Sequence, residues 1–209
     1  MRTKTIELQE IKVNTATICI EGTSDLCLNK MNRRNQRSLL AEDRKKIKEV
    51  PNKWEDVITQ ISWANPIPDD IYNTADEAMM LNLLKENAPC ISAFGLKKSF
   101  CQAVVRNEID KYSTKFDNCM NVSAPRNLVP IKFASWALDE RLMSPKKGSP
   151  VSVALNIFSG WSAEFQINYT EHVYSLDQIV NIINLAGFGL GIGSGRTSGY
   201  GRYKIVNVK

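Results

Sequence analysis

Seven of the chain's eleven glycines fall between Gly187 and Gly201, in the run Gly-Phe-Gly-Leu-Gly-Ile-Gly-Ser-Gly-Arg-Thr-Ser-Gly-Tyr-Gly. Glycine loses more backbone freedom on folding than any other residue, so such crowding marks backbone that takes positive φ or lets another molecule come close. A Gly/Ser tether would be free of apolar residues. Here Phe188, Leu190, Ile192 and Tyr200 are interleaved, and the run leads straight into the strand-like segment Arg202 to Val208. The expectation is an ordered, ligand-facing loop shaped by Gly193, Gly195, Gly199 and Gly201. Its Arg196, Thr197, Ser198 and Arg202 can donate hydrogen bonds to an anion, and its bare amides can form a nest for phosphate.

With 209 residues and 43% hydrophobic content, the chain can bury a real core and reads as one elaborated domain. No stretch approaches the roughly 18 uncharged apolar residues of a membrane span. The opening residues Met1 to Thr5 lack the apolar run of a signal peptide, so a cytoplasmic protein without a membrane partner is expected. Five cysteines (Cys19, Cys27, Cys90, Cys101, Cys119) are odd in number and scattered, without C-x-x-C spacing. That argues against a zinc site and a disulfide framework, and for reduced thiols; no metal and no cofactor is expected. The net charge of +5 is unevenly spread. Lys30, Arg33, Arg34, Arg37, Arg44, Lys45, Lys46 and Lys48 face only Glu42 and Asp43 in their block. The block is a solvated helix face or a polyanion-binding surface, and its Asn and Gln content suits phosphates and base edges.

Alternation predicts a central first strand over Lys12 to Ile20, with Ala16, Ile18 and Ile20 on one face. Residues 22 to 73 read as an insertion, in which Gln36 to Glu49 can be a helix or stay disordered until it meets a partner. A helix is expected from an N-cap at Asn73 or Thr74 to Asn87, and another over Leu96 to Arg106 with Lys97 and Lys98 on its first turn. Leu128 to Ala134 and Val151 to Phe158 alternate like strands, separated by a turn or protruding hairpin tip at 138 to 150. Trp161, Ala163, Phe165, Ile167 and Tyr169 mark one buried face of a further strand. Ser175 and Gln178 cap a last helix, with Gly187 expected at its C′ position. The order is β-α-β-β-α-β. It predicts an α+β fold, a ferredoxin-like (RRM-like) antiparallel sheet with two helices and a large insertion.

The C-terminal stretch Leu176 to Val206, a helix followed by the glycine run and Arg196-Thr-Ser-Gly-Tyr-Gly-Arg202-Tyr-Lys-Ile, resembles the glycine-rich signature of the RAMP superfamily of CRISPR-associated RNA-binding proteins. The upstream Cys90-Ile-Ser-Ala-Phe-Gly-Leu-Lys-Lys98 is similar to the short apolar and basic helix start that many members carry. The resemblance implies that the 187 to 201 loop touches a nucleic-acid backbone while Arg196, Arg202, Lys97 and Lys98 neutralise phosphates; the basic block adds Arg33, Arg34 and Arg37 as the next candidates. Cas7-like members stack along RNA and project an insertion as a thumb, for which 22 to 73 and 138 to 150 are the candidates. The implied partners are RNA or single-stranded DNA, with self-association or a multi-subunit ribonucleoprotein.

Other functions have weaker anchors. Relatives of the Cas6 type are metal-independent endoribonucleases that use histidine, and the chain's one histidine, His172, is the sole catalytic candidate. General acid–base cleavage wants two placed groups and a tuned pKa, and a lone loop histidine is more often a surface residue than a catalyst. A phage or plasmid assembly module on a RAMP-like fold is the third reading, and phage defence the setting implied by the first. The glycine run is no Walker loop, because it lacks the lysine and follows a helix. Tyr200 and Tyr203 are expected to add base stacking.

Overall fold

The computed structural model describes residues 11–40, 52–143 and 151–209. In chain order the elements are β1 (Asn14–Gly22), β2 (Leu26–Leu28), α1 (Arg33–Leu40), α2 (Lys53–Thr59), β3 (Ser62–Trp63), α3 (Glu77–Glu86), β4 (Pro89–Ser92), α4 (Ala93–Arg106), α5 (Thr114–Cys119), β5 (Met120–Ser123), β6 (Leu128–Lys132), β7 (Ser135–Met143), β8 (Val151–Ser159), β9 (Ser162–Tyr169), α6 (Leu176–Gly189) and β10 (Tyr203–Val208). Short 3-10 turns occupy Asp69–Thr74, Pro125–Asn127 and Arg196–Ser198.

The main sheet runs β10-β1-β9-β6-β4-β3, with β5 also pairing β9, and every pairing is antiparallel. β5 and β6 divide one edge of β9 between them, Met120–Ser123 taking its C-terminal half and Ile131 and Lys132 its start. The elements β1, α4, β5, β9, α6 and β10 form a β-α-β-β-α-β path whose strands lie in the order last, first, third, second. The fold is α+β with antiparallel sheets.

Alternation decides which face is covered. Ala16, Ile18 and Ile20 of β1, and Ala163, Phe165, Ile167 and Tyr169 of β9, are buried under the helices. Phe100 of α4 stacks on Phe165 at 6.2 Å. The opposite face carries Thr15, Thr17, Cys19, Glu164, Gln166 and Asn168 and stays open to water. α4 starts at Ser92, whose hydroxyl accepts from the Gly95 amide, and α6 starts in a full capping box between Ser175 and Gln178. α4 and α6 pack side by side.

A second, three-stranded sheet, β2-β8-β7, stands beside the first. Part of the turn or hairpin tip expected at 138 to 150 is strand in it. Leu138 to Met143 belong to β7, paired residue by residue with β8; residues 144–150 lie outside the described residues. The charged Asp139-Glu140-Arg141 reads as a turn in sequence, yet an edge strand open to solvent tolerates such residues. The expected N-cap of α3 also moves: Asp76, not Asn73 or Thr74, accepts from the Met79 amide, and residues 69–74 form a 3-10 turn. The helix allowed over Gln36 to Glu49 starts earlier, at Arg33, and 41–51 lie outside the described residues. Lys97 and Lys98 sit in the second turn of α4, which begins at Ala93.

Gly187 is not a C′ residue. It lies buried inside α6, where a Cβ would strike the backbone oxygen and, at 2.7 Å, the ring of Tyr203. Its small size lets the helix lie against β10. Gly201, at φ 73°, is held so close to the Ile192 carbonyl that any side chain collides with it, whereas Gly199 faces open space. Gly201→Ala should therefore cost at least about 2 kcal/mol, from strain and collision together, and Gly199→Ala about 1–2 kcal/mol from strain alone. Chemical denaturation of both variants checks this order, and equal losses would refute the packing account.

Candidate nucleic-acid interface

The segment after α6 has two parts with different surroundings. Leu190, Gly191, Ile192 and Gly201 are buried, while Gly193, Gly195, Thr197, Ser198 and Gly199 are exposed. The buried part is fastened to the corner between β1 and β2. The Gly201 amide donates to the Asp25 carbonyl at 2.7 Å, the Ser194 amide to the Cys27 carbonyl at 2.8 Å, and the Ile192 amide to the Gly201 carbonyl at 3.0 Å. Ser24 Oγ donates to the Gly199 carbonyl and accepts from the Arg202 amide. On the helix side, Ser99 Oγ of α4 donates to the Gly191 carbonyl at 2.9 Å. A slack tether makes none of these bonds.

The exposed part is a tight turn. Gly195 and Gly199, both left-handed, bracket the 3-10 turn Arg196–Ser198, whose Ser198 and Gly199 amides bond back to Gly195 and Arg196. The amides of Gly193, Gly195, Arg196 and Thr197 make no hydrogen bond among the described residues. Three donors thus remain on the turn and a fourth, at Gly193, two residues before it, and a polyanion is the ligand that such donors suit.

Arg196 reaches across to α4, where its Nη1 donates to Gln102 Oε1 at 3.3 Å. Phe94, Lys98 and Gln102 follow one another at i, i+4 and i+8, one stripe of the helix. The stripe therefore borders the turn, bringing the exposed Lys98 and the 65% exposed Phe94 to the same side as Arg196. Neither Arg196 nor Lys98 has a carboxylate within ion-pair distance among the described residues. Beside the stripe, Gly193 and Ser194 face Ser92, Gly95 and Lys30 across a cleft of about 240 Å³. Phe94 was not among the residues singled out from sequence as a stacking group, and Lys30 was named there only as part of the basic block. The signal for Phe94, an apolar residue off the buried stripe of α4, was present but is common on surfaces.

Other sequence candidates sit differently. Arg202 is half-buried, its Nη2 donating to the Arg196 carbonyl at 3.4 Å while its buried Nη1 has no partner among the described residues. It supports the turn from beneath. Lys97 is paired with Asp117 at 3.0 Å. Arg33 pairs with Asp69 at 2.9 Å, Arg34 with Asp56 at 2.5 Å and Arg37 with Glu55 at 3.9 Å, so the start of the basic block is balanced by carboxylates that come from later in the chain. Arg44, Lys45, Lys46 and Lys48 lie outside the described residues. Tyr203 cannot stack on a base: it is buried edge-on to Trp161 at 6.3 Å, and burial pushes its phenol pKa up. Tyr200 is half-exposed, its hydroxyl accepting from Arg141 Nη2 of β7 at 2.8 Å, a bond that ties the second sheet to the turn. His172 lies before the first turn of α6, whose 14 residues span about 21 Å, so the helix separates it from the glycine turn.

No family model and no curated protein matches the chain. Among solved structures, its fold is matched by a chain in the cryo-EM structure of the Type III-B Cmr-beta bound to cognate target RNA. The TM-score is 0.52 at 13% identity, over 95% of this chain and 60% of that one. At that identity the likeness is one of fold. The chain spans about 60% of the length of the Cmr-beta chain it matches. Cmr6 from Pyrococcus furiosus is matched over 94% of this chain and 100% of its own, at 12% identity and a TM-score of 0.37, too loose a likeness to reason from. Among the described residues, no helix is long and apolar enough to cross a membrane.

The thiols respond to the same packing. Burial raises the Cys27 pKa from its ordinary 9.0 to about 11, and it is the Cys27 carbonyl that accepts from Ser194. A folded-state pKa above the unfolded one means that the contribution of this thiol to stability is complete below pH 9 and fades as pH rises toward 11. Denaturation midpoints between those limits should fall more steeply for the wild type than for Cys27→Ala. Parallel curves would mean that the thiol ionises as freely in the fold as outside it.

Proposed function

We propose that the chain is a non-enzymatic binding protein for single-stranded nucleic acid, RNA foremost, held by its phosphates along the exposed half of the glycine turn. The observation that carries this reading is the grouping of four amides that are uncommitted among the described residues with Arg196 and Lys98, two cations without carboxylate partners there, beside an exposed aromatic ring at Phe94. Phosphates take the amides and cations, and bases take the ring, which is the division of labour expected of sequence-tolerant strand binding. The fold likeness to a chain from an RNA-bound assembly supports the choice of RNA. Thr197 and Ser198 add hydroxyl donors on the same turn. The endoribonuclease reading has less support, because His172 stands at the other end of α6 and has no second acid or base bonded to it among the described residues.

Anisotropy of a labelled oligouridine at about 50 and about 200 mM salt tests the proposal. Binding should weaken steeply with salt, and Arg196→Ala and Lys98→Ala should each lower the slope of log K against log salt by about 0.7, the value for one phosphate contact on a single strand. Absence of binding at low salt, or a slope untouched by both substitutions, defeats the reading.

Assembly with further subunits is part of the same proposal. The outer edge of β7 is unpaired among the described residues over nine positions, and Leu142 on it is 77% exposed. Such an edge invites a partner strand. Size-exclusion chromatography with and without nuclease should show a species larger than 23.5 kDa that shrinks on RNA removal. A monomer under both conditions counts against assembly, and a large species indifferent to nuclease makes the protein an assembly module instead.

A further inference from the structure

Between α1, β3 and the Asp69–Thr74 turn lies a cavity of about 380 Å³ that the phosphate contacts above do not use. Its floor is apolar, with Ile61 and Trp63 buried and Ile67 half-buried. Its wall is flat: the Arg33 guanidinium lies over the Tyr72 ring at 4.9 Å and is fixed there by Asp69 at 2.9 Å. The mouth is polar, formed in part by the exposed amides of Gln36 and Asn65. This volume is near the lower end of the range of about 300–1,000 Å³ typical of small-molecule sites.

The cavity is not isolated from the glycine turn. Lys30 and Ser62 line both it and the cleft against Gly193 and Ser194, so the two spaces meet at Lys30. Lys30 Nζ makes one long bond, 3.4 Å to Ser62 Oγ, and has no carboxylate partner among the described residues. The chemistry on the two sides of Lys30 differs. Toward the turn there are amides and cations. Toward the cavity there is an apolar floor and a flat cation–aromatic wall whose charge Asp69 already balances, surroundings that offer a phosphate little and suit an uncharged planar ring with hydrogen-bonding edges.

We infer that this cavity receives one nucleobase, turned out of the strand whose phosphates lie on the glycine turn, with Lys30 neutralising the phosphate between the two sites. The inference rests on the nucleic-acid reading above and adds a base site to it. The base lies on Ile67 and against the Arg33–Tyr72 wall, and Gln36 and Asn65 meet its edge. Such a site makes binding depend on bases as well as on charge, and at one nucleotide in the bound stretch rather than at all of them.

The test compares the full chain's affinity for an oligouridine and for an abasic strand of equal length, which keeps the phosphates and lacks the bases. Gln36→Trp fills the cavity from an exposed position, and Ile67→Trp fills it from below; circular dichroism reports whether each folds. The expected result is that filling the cavity weakens the oligouridine about tenfold and leaves the abasic strand unchanged, the scale of one lost stacked base. Uridine bearing a fluorescent base analogue should lose its emission change in the same variants. Equal weakening of both strands, or of neither, in a folded Gln36→Trp protein overturns the base site while leaving the phosphate site standing. Wild-type protein that holds neither strand overturns both. Uridine monophosphate that binds as tightly as the strand assigns the cavity to a free nucleotide and overturns the inference as stated.

Discussion

The fastening of the glycine segment to the corner between β1 and β2 is the constraint on which the rest of the structure depends. At that corner the chain leaves the main sheet for the second one, and residues 23–27 are too short to form a core of their own. They gain order from the C-terminal segment: Thr23 donates to the Arg202 carbonyl, Ser194 and Gly201 donate back, and Trp161 Nε1 donates to the Ser24 carbonyl. Each such bond is worth only about 1 kcal/mol net. Their joint effect is geometric, since buried backbone groups left without partners would cost more than the bonds gain. One end of the chain thereby sets how β2, and through it β7 and β8, meet the main sheet.

That arrangement explains how a glycine-rich stretch can be rigid. Its buried half is pinned on two sides, by the corner and by Ser99 of α4, and its exposed half is a single turn closed by its own hydrogen bonds. The donors that remain are those the closure cannot use. Because the turn is held at both ends, their directions are set before any ligand arrives, and binding then spends little free energy on ordering the loop. Arg202 fits the same logic: its guanidinium sits beneath the turn on the Arg196 carbonyl, where it shapes the donors rather than joining them.

Much of this was legible in the sequence where the signal was local. The alternation of Trp161 to Tyr169 located β9 and its buried face, and the Ser175–Gln178 pair located the start of α6. The failures share one cause, a partner far away in the chain. Gly187 follows an apolar helix as a C′ glycine does, but its reason for being glycine is Tyr203, sixteen positions on. β7 was hidden because charged residues on an exposed edge strand look like a turn. The cations of α1 were visible, whereas the carboxylates of Glu55, Asp56 and Asp69 that meet them belong to a later helix and turn. Tyr203 looked available for stacking only until β10 placed it under α6.

The same distant pairings decide where the positive charge of the chain is felt. A cation already bonded to a carboxylate presents little field to a third group, so the described part of the basic block contributes less than its composition implies. Around the glycine turn the balance is reversed: Lys30, Lys98, Arg196 and Arg202 lack carboxylate partners among the described residues, and two of them, Arg196 and Arg202, come from the turn or its edge. Four amide dipoles on and just before the turn add to this field. A modest net charge of +5 is then compatible with an attractive surface, because four cations without carboxylate partners among the described residues meet around the turn. The open face of the main sheet offers the contrast, for there Glu164 takes hydrogen bonds from Cys19 and Lys209 and sets a carboxylate at its centre. A polyanionic strand meeting both surfaces would be drawn to the turn, because on the sheet the Lys209 ammonium is already taken by Glu164.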